Sequence, residues 1–225
     1  MNAQGKRSGE TAREYAYRMI REQVISLELK PGEAFNDMEF AAKIGVSRTP
    51  VREAVIQLSE ESRIIEIFPQ RGMRIAPIDV ELVEEARSLR VLLEKQIAGM
   101  CCEMATEEDI KWLQENVGLQ EFYMENSRPE MVMQLDDEMH HKLFMICNRE
   151  LTYGMCQKLA IHYDRIRSLS VNTVKDNTII EDHRKIIQFI AEHKKENAMA
   201  QMEKHLSRWQ LNEGKFRQEF PDYFK

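Results

Sequence analysis

The first part of the chain distributes apolar residues at the spacing of short helices. Apolar side chains recur every three or four positions over residues 11–29, which predicts a first helix. The Lys-Pro-Gly run at residues 30–32 interrupts this pattern, because proline removes a backbone donor and glycine favours a turn. Asn36 then begins a short helix that Gly45 is expected to end in the left-handed conformation.

A third helix follows almost at once and leads into a hairpin. Ser47 is placed to cap its start, and the side chains predicted to face the core are Val51, Ala54, Val55 and Leu58. Two β-prone runs at 64–68 and 73–76 flank a Pro-Gln-Arg-Gly turn. Helix, helix, tight turn, helix and hairpin form the order of a winged helix-turn-helix, predicted for residues 10–77.

The pattern changes after Pro77, where strand signals end and long amphipathic segments begin. The helices predicted there span residues 79–104, 107–125, 129–148, 149–170, 178–195 and 196–219. The sequence therefore predicts a mainly α protein, in which an all-α bundle of about six helices occupies residues 79–219.

Composition narrows the class of protein that fits these elements. Hydrophobic residues make up 43% of the 225, enough for a buried core, and no apolar run approaches the roughly 18 residues of a membrane span. The start has no apolar segment typical of a secretory signal, so a cytoplasmic location is expected. The four cysteines lie outside any CxxC spacing and are interpreted as buried thiols, with a disulfide left as an alternative.

Charge is distributed unevenly along the chain. Residues 1–77 carry 12 Lys and Arg against 11 Asp and Glu, whereas the remainder carries 20 against 27. This difference indicates two modules with different partners, and neither is basic enough to coat nucleic acid without specificity. DNA binding, if present, must depend on a few well-placed cations.

The third helix places two such cations on one face. Arg48 and Arg52 are four residues apart, and each can form two hydrogen bonds with a guanine edge in the major groove. The hydroxyls of Ser47 and Thr49 suit phosphate oxygens. The alternative is a solvated face on which the arginines pair with nearby acids such as Glu53.

The sequence of this segment resembles that of a known family. The Lys-Pro-Gly run followed by GVSRTPVREAVIQL at residues 45–58 is similar to the N-terminal DNA-binding domain of the GntR superfamily of bacterial transcription regulators. The resemblance implies a dimer that binds a short palindromic operator, with Arg48, Thr49 and Arg52 at the bases.

The same module contains the hairpin tip and two departures from the family's usual sequence. The hairpin tip, with Arg71 and Gly72, is expected to lie along the DNA backbone or minor groove. Met38 stands where related regulators often have a charged or polar residue, so no contact is expected there. Glu-Ser-Arg at residues 61–63 replaces a usual glycine-containing turn, which is expected to shift the hairpin without abolishing it.

The second module contains every histidine of the chain. Asp136 and His140 are four residues apart on a predicted helix, so both can bind one cation, and His183 and His205 lie at the edges of apolar stripes on later helices. Three imidazoles and a carboxylate suit Zn, Ni, Co, Mn or Fe. The remaining histidines, His141, His162 and His193, are interpreted as ordinary core or surface residues.

This arrangement resembles the FCD domain, the ligand-sensing C-terminal domain of the FadR branch of GntR regulators. The resemblance rests on LVEEARSLRVLLEKQIA, on D-x-x-M-H-x-x-L at 136–143, on DHRKII and on MEKHL. It implies that Asp136, His140, His183 and His205 bind a divalent metal ion. Met139 replaces a usual phenylalanine, which alters packing rather than ligation.

The FCD resemblance also implies a small carboxylic acid as the effector. Arg90 matches the arginine of the family's R-x-x-L-E stretch and is the preferred effector contact, with Arg165 and Arg167 as weaker candidates. The alternative is that Arg90 simply pairs with Glu94 on a helix surface, a contact worth about 0.3–0.5 kcal/mol.

Together these features predict a homodimeric, metabolite-responsive transcription repressor rather than an enzyme. Two alternatives remain: a metal sensor in which the cation is itself the signal, and a helical metalloenzyme with an accessory DNA-binding domain. The enzyme is disfavoured because no glutamate adjoins a candidate ligand in an HExxH-type run.

Overall fold

The computed structural model describes residues 5–173 and 178–225 of the chain, most of them in helices. The helices in these ranges are α1 Ala12–Ile25, α2 Asp37–Ile44, α3 Arg48–Ser62, α4 Val80–Met104, α5 Glu107–Glu125, α6 Pro129–Ile146, α7 Glu150–Thr173, α8 Thr178–Ala191, α9 Lys195–Leu206 and α10 Trp209–Glu219. The strands are β1 Ala34–Phe35, β2 Ile65–Phe68 and β3 Gly72–Ile75. The prediction of a mainly α fold is confirmed.

The chain divides into two compact units. The first unit contains the residues up to Val80 together with Phe220–Lys225, and the second contains Glu81–Glu219. In the described ranges, no helix is both long enough and apolar enough to cross a membrane.

Local sequence signals set the helix ends of the first unit. Asn36 accepts hydrogen bonds from the backbone of the first turn of α2, and Gly45 ends that helix at φ 73° in the left-handed conformation. Helix α1 ends at Ile25 instead of continuing to residue 29, because Leu27 adopts a left-handed φ of 63° that breaks the helical hydrogen bonding. Arg63, at φ 55°, makes the left-handed turn between α3 and β2 in the place of the usual glycine-containing turn, and the hairpin still forms.

The hairpin is part of a three-stranded antiparallel sheet with the order β1-β3-β2. Ile65 pairs with Ile75 and Phe68 with Gly72, while the two-residue strand β1 adds Phe35 opposite Met73. Strand β1 was not predicted, because two residues are too few to show an alternating pattern. In the core of this unit, the buried face of α3 packs against α1 and against β2.

The last residues of the chain return to the first unit. Ile78 forms a parallel bridge with Phe224, in which the Ile78 amide donates to the Tyr223 carbonyl at 2.7 Å and the Lys225 amide donates to the Ile78 carbonyl at 3.0 Å. The Lys225 ammonium also pairs with Asp79 at 2.9 Å. The segments that precede and follow the second unit in the sequence therefore pair with each other within the first unit.

The second unit packs α4, α5, α6, α8 and α9 around one apolar core. Met139, Phe144, Ile187 and Met202 contribute to this core from α6, α8 and α9. The helix predicted over 196–219 is two helices, α9 and α10. The break falls at Ser207, whose hydroxyl bonds back to the Glu203 carbonyl at 2.8 Å and whose amide caps the end of α9.

The cysteines belong to the same unit. All four are buried and free, as the sequence predicted. The Sγ atoms of Cys101 and Cys147 lie 3.5 Å apart in the core.

Candidate functional site

Helix α3 presents one buried face and one cationic face. The buried side chains are Val51, Ala54, Val55 and Leu58, each with no exposed area. On the other face, the side chains of Arg48 and Arg52 are 58% and 59% exposed. Ser47 is the N-cap residue of α3, but its hydroxyl does not accept the expected capping hydrogen bond, so the hydroxyl can donate to an external acceptor such as a phosphate oxygen.

The exposed face of α3 forms a shallow surface. It is lined by Arg48, Thr49, Arg52, Glu53 and Ile56. This set combines two cations, a hydroxyl, a carboxylate and an aliphatic side chain, which are the groups that distinguish base edges in a major groove. Met38, at the start of α2, is also exposed.

The arginines pair with an acid that sequence reasoning did not identify. Asp37, whose side chain is only 3% exposed, accepts a hydrogen bond from Arg48 Nε at 2.9 Å, and its other oxygen lies 3.5 Å from Arg52 Nη1. Within the described residues no ion pair joins either arginine to Glu53. The only sequence signal was an acid in the first turn of a helix, which is common for reasons of helix electrostatics alone.

The hairpin tip is exposed and tightly turned. Gly72 has a φ of 98°, which favours glycine, and Arg71 beside it is exposed. Arg74 is held differently, because it forms an ion pair with Glu66 across the hairpin and lies over the Phe68 ring at 5.3 Å. Arg71 is therefore better placed than Arg74 to reach an external anion.

The second unit brings the four predicted metal ligands together. Asp136 and His140 on α6, His183 on α8 and His205 on α9 are all buried, and one donor atom from each lies within 4.8 Å of the others. His183 Nε2 is 3.3 Å from both His205 Nε2 and Asp136 Oδ1. His140 Nε2 lies 3.7 Å from Asp136 Oδ2.

A chain of amides orients His183. Its Nδ1 lies 2.8 Å from Gln120 Oε1, and this contact is satisfied when Nδ1 carries the proton. Gln120 in turn donates to Asn116 Oδ1 at 2.8 Å, and Asn116 donates to the Leu135 carbonyl at 3.1 Å. Burial lowers the pKa of His183 to about 4, so its Nε2 offers a lone pair to the cluster at neutral pH.

Glu94 connects His140 to Arg90. One Glu94 oxygen contacts His140 Nδ1, and the other accepts a hydrogen bond from Arg90 Nε at 2.6 Å. Burial would raise the pKa of Glu94, but Arg90 and then His140 outweigh it and hold that pKa below its usual range. The alternative that Arg90 pairs with Glu94 is thus borne out as a contact, although the pair is buried, with side chains 8% and 6% exposed, rather than on the surface.

A second buried carboxylate lies near His205, beyond hydrogen-bond distance. Asp182 Oδ2 lies 4.0 Å from His205 Nδ1, and Asp182 accepts hydrogen bonds from Gln201 at 2.6 Å and from Arg208 at 2.8 Å. Burial lowers the pKa of His205 well below its usual value, so this imidazole is also neutral. Arg208 reaches Asp182 because the chain turns at the break between α9 and α10.

Asp136 has an arginine partner of its own. Arg167 on α7 contacts Asp136 directly and also pairs with Asp137 at 2.8 Å and with Asp164 at 2.7 Å. Burial would raise the pKa of Asp136, but Arg167 and the neighbouring imidazoles lower it, so this carboxylate stays ionised. Arg165, the other weaker candidate, is fully buried, and burial lowers its pKa to about 10.

A cavity lies beside the cluster. Its polar walls include Asp136, His205 and three arginines, Arg90, Arg167 and Arg208. Its apolar walls are formed by Val132, Met133, Val171, Ile179 and Leu206. Apolar walls combined with a few convergent charged groups are typical of small-molecule sites.

The donor set fits a divalent metal ion. His140 Nε2 is buried and has no hydrogen-bond partner among the described residues, although it points into the same space as three other ligand atoms. Three imidazoles and one ionised carboxylate are a ligand set suited to Zn, Ni, Co, Mn or Fe.

The other histidines take ordinary positions. The ring of His141 stacks on Tyr153 at 4.4 Å, and His193 Nδ1 lies 2.6 Å from the Cys102 carbonyl. His162 is buried on α7. None of them belongs to the cluster found in the described part of the chain.

Two family models match this chain. The model described as "Bacterial regulatory proteins, gntR family" matches residues 12–75. The FCD domain model matches residues 85–208, more than half of the chain.

Individual relatives are similar along most of their length. The HTH-type transcriptional repressor RspR of Escherichia coli is 28% identical over 209 residues, covering 92% of this chain and 91% of that protein. The Nta operon transcriptional regulator of Aminobacter aminovorans is 26% identical and covers 82% of this chain and 86% of its own. The structure of E. coli McbR/YncC superposes with a TM-score of 0.77 at 18% identity, covering 93% of this chain and 99% of that one, which shows a shared fold.

Proposed function

The chain belongs to the GntR family of bacterial regulatory proteins and carries an FCD domain, and from that premise we propose that it is a metabolite-responsive repressor. It is a DNA-binding transcription regulator. The proposal adds that it binds a palindromic operator as a homodimer and senses a small carboxylic acid at a metal site. The observation that carries the proposal is the cavity in which three arginines share walls with the Asp136 and His205 ligand candidates.

The proposed DNA interface is the exposed face of α3 with the hairpin tip. Arg48, Thr49 and Arg52 contact bases, since guanidinium groups can bond both acceptors of a guanine edge. Ser47 contacts phosphate, and Arg71-Gly72 tracks the backbone or minor groove. The exposure of both helix arginines supports this role.

The proposed sensor site combines the four metal-ligand candidates with a cavity that has arginines and apolar side chains in its walls. Asp136, His140, His183 and His205 would hold a divalent cation, which supplies open coordination positions for an oxygen ligand. Arg90 is the preferred partner for the effector's carboxylate, and Arg208 lines the same cavity. The apolar walls exclude water, which strengthens these charge interactions.

An effector acts only through a difference in affinity between two states of the protein. The acid would bind one arrangement of the protein more tightly and so shift the population that is competent for the operator. The repressor assignment is supported by RspR, which is named as a transcriptional repressor.

The experiment begins with a DNA fragment that the wild-type protein selects from a random-sequence library. Fluorescence anisotropy then measures its affinity without metal, with each divalent cation alone, and with the cation plus a panel of short mono-, di- and tricarboxylic acids. Wild type is expected to change its operator affinity when an acid and a metal are both present.

The matched variants are His183→Ala/His205→Ala and His141→Ala. The double variant should lose metal affinity by more than about 100-fold, because losing only a hydrogen-bond partner of a ligand typically costs 10–100-fold. It should keep operator binding and lose the acid response. His141 lies on the same helix as His140 but outside the cluster, so its removal should change neither.

The other outcomes separate the alternatives. A change in operator affinity with metal alone, and no further change with any acid, would identify a metal sensor. Turnover of an acid by the metal-loaded protein would identify an enzyme. An unchanged acid response in the metal-free double variant would refute the metal-dependent site.

A further inference from the structure

A buried carboxylate lies directly beneath the two exposed arginines of α3. Asp37 begins α2, and its side chain is almost completely buried, whereas the arginines that it contacts are mostly exposed. The acid therefore belongs to the folded frame of the first unit, and the guanidinium groups project from it toward solvent.

Asp37 occupies only some of the hydrogen-bond donors of the two arginines and leaves the others available to DNA. Arg48 uses its Nε–H for Asp37 Oδ1 at 2.9 Å, and no hydrogen bond to either terminal nitrogen of Arg48 is found among the described residues. Those two nitrogens form the edge that can bond guanine O6 and N7. Fixing Nε from behind orients this edge and reduces the rotamer freedom lost on binding.

Asp37 has a second oxygen that is not yet satisfied. Oδ2 is buried without a hydrogen-bond partner in the described part of the chain, and Arg52 Nη1 lies 3.5 Å away. A small side-chain rotation of Arg52 would complete this bond. A buried acceptor left unpaired is costly, so the position biases Arg52 toward the same orientation as Arg48.

We propose that Asp37 is a positioning residue for base reading, which sets the discrimination between operator and other DNA rather than the overall affinity. The inference rests on the proposed base-reading role of Arg48 and Arg52. The inference predicts opposite effects on discrimination and on overall affinity, because a carboxylate close to the DNA also repels phosphates. Removing its charge should lower discrimination while leaving affinity for unrelated DNA unchanged or increased.

The test compares Asp37→Asn with Glu39→Gln in the full-length protein. Glu39 is an exposed acid on the same helix that contacts Asn36 and neither arginine. Both variants remove one negative charge from α2. Affinities for the selected operator and for a scrambled duplex are measured at the same salt concentration, and their ratio is the discrimination.

Asp37→Asn is expected to reduce that ratio about tenfold, within the range for misplacing one bidentate contact. Glu39→Gln should leave the ratio within twofold, and Asp37→Glu, which restores the charge on a longer side chain, should recover part of the loss. In the Arg48→Ala/Arg52→Ala background, Asp37→Asn should produce no further change in the ratio.

Several results would overturn the inference. An Asp37→Asn protein with the wild-type ratio contradicts it, and so does an equal loss of affinity for both duplexes, which is what a purely structural role predicts. If circular dichroism shows that Asp37→Asn is unfolded, Asp37→Ser replaces it in the test. Serine also removes the charge and is well tolerated at the start of a helix. If Arg48→Ala/Arg52→Ala itself keeps the wild-type ratio, the proposed base-reading function fails, a result distinct from failure of Asp37 alone.

Discussion

Arginine–carboxylate pairs occur in both units, but in opposite surroundings. Asp37 is buried while Arg48 and Arg52 are exposed, so water screens the arginine side of each pair. In the second unit, Glu94 and Arg90 are both buried. The first arrangement orients cations that remain available to an external anion, whereas the second holds a cation inside the protein, where losing its partner is expensive.

The largest expected effect is on the buried pair. Glu94→Gln leaves the Arg90 charge without its partner and should lower the free energy of unfolding by about 3–5 kcal/mol. Urea unfolding of the metal-free protein measures this change through tryptophan fluorescence, because both tryptophans, Trp112 and Trp209, belong to the second unit. A loss below about 1 kcal/mol would mean that the pair behaves like a surface contact.

The next effect concerns pH. Burial lowers the pKa of His183 from 6.5 to about 4, so between these values the unfolded chain binds a proton that the folded protein does not. The contribution of His183 to the free energy of unfolding of the metal-free protein is therefore complete above pH 6.5 and decreases as the pH falls toward 4. His183 alone should contribute about 3 kcal/mol to this fall.

The same fluorescence measurement, repeated across that pH window, tests this prediction. His183→Gln should flatten the pH dependence, although His205, whose pKa is lowered in the same direction, will keep part of it. An unfolding free energy that stays constant from pH 6.5 to 4 would show that His183 is not buried in its neutral form.

A smaller effect is expected at the exposed arginines, and on a different property. Arg48→Ala should cost about 1–3 kcal/mol of discrimination between operator and scrambled DNA. The free energy of unfolding should fall by less than it does in Glu94→Gln, because removing an exposed side chain opens the Asp37 carboxylate to water. Arg63→Ala removes an exposed arginine next to the other end of α3 and should leave the discrimination intact. If Arg48→Ala lowered the free energy of unfolding as much as Glu94→Gln does, the arginine pairs of the two units would not differ in their contribution to stability.

The smallest effect is expected for a matched carboxylate on the surface of the second unit. Glu203 pairs with Lys95 at 2.6 Å, but their side chains are 50% and 33% exposed. Glu203→Gln makes the same chemical change as Glu94→Gln and should cost no more than about 1 kcal/mol by the same urea assay. Equal costs for the two variants would show that burial is not what separates these pairs.

Sequence reasoning succeeded where a structure depends on nearby residues. The buried face of α3 follows from helical spacing, and the left-handed end of α2 follows from Gly45. The family resemblance selected Asp136, His140, His183 and His205, and the structure brings them within reach of one another. Each of these inferences needed only spacing or a motif.

The partners of those residues could not be predicted from spacing. Asp37 is eleven residues from Arg48, and Asp182 is 26 residues from Arg208, so their pairing depends on how helices pack. The break between α9 and α10, which allows Arg208 to reach Asp182, arises where the Ser207 hydroxyl competes for a helix carbonyl. A serine in this position gives no distinctive pattern in the sequence.

The bridge between Ile78 and Phe224 has a consequence for protein engineering. Since the first unit contains residues from both ends of the chain, the second unit is topologically an insertion within it. A chimera that joins this DNA-binding unit to a different C-terminal domain at one junction would leave Ile78 without its bridge partner, Phe224. A faithful exchange therefore requires two splice points, one on each side of the inserted helices, with Phe220–Lys225 retained.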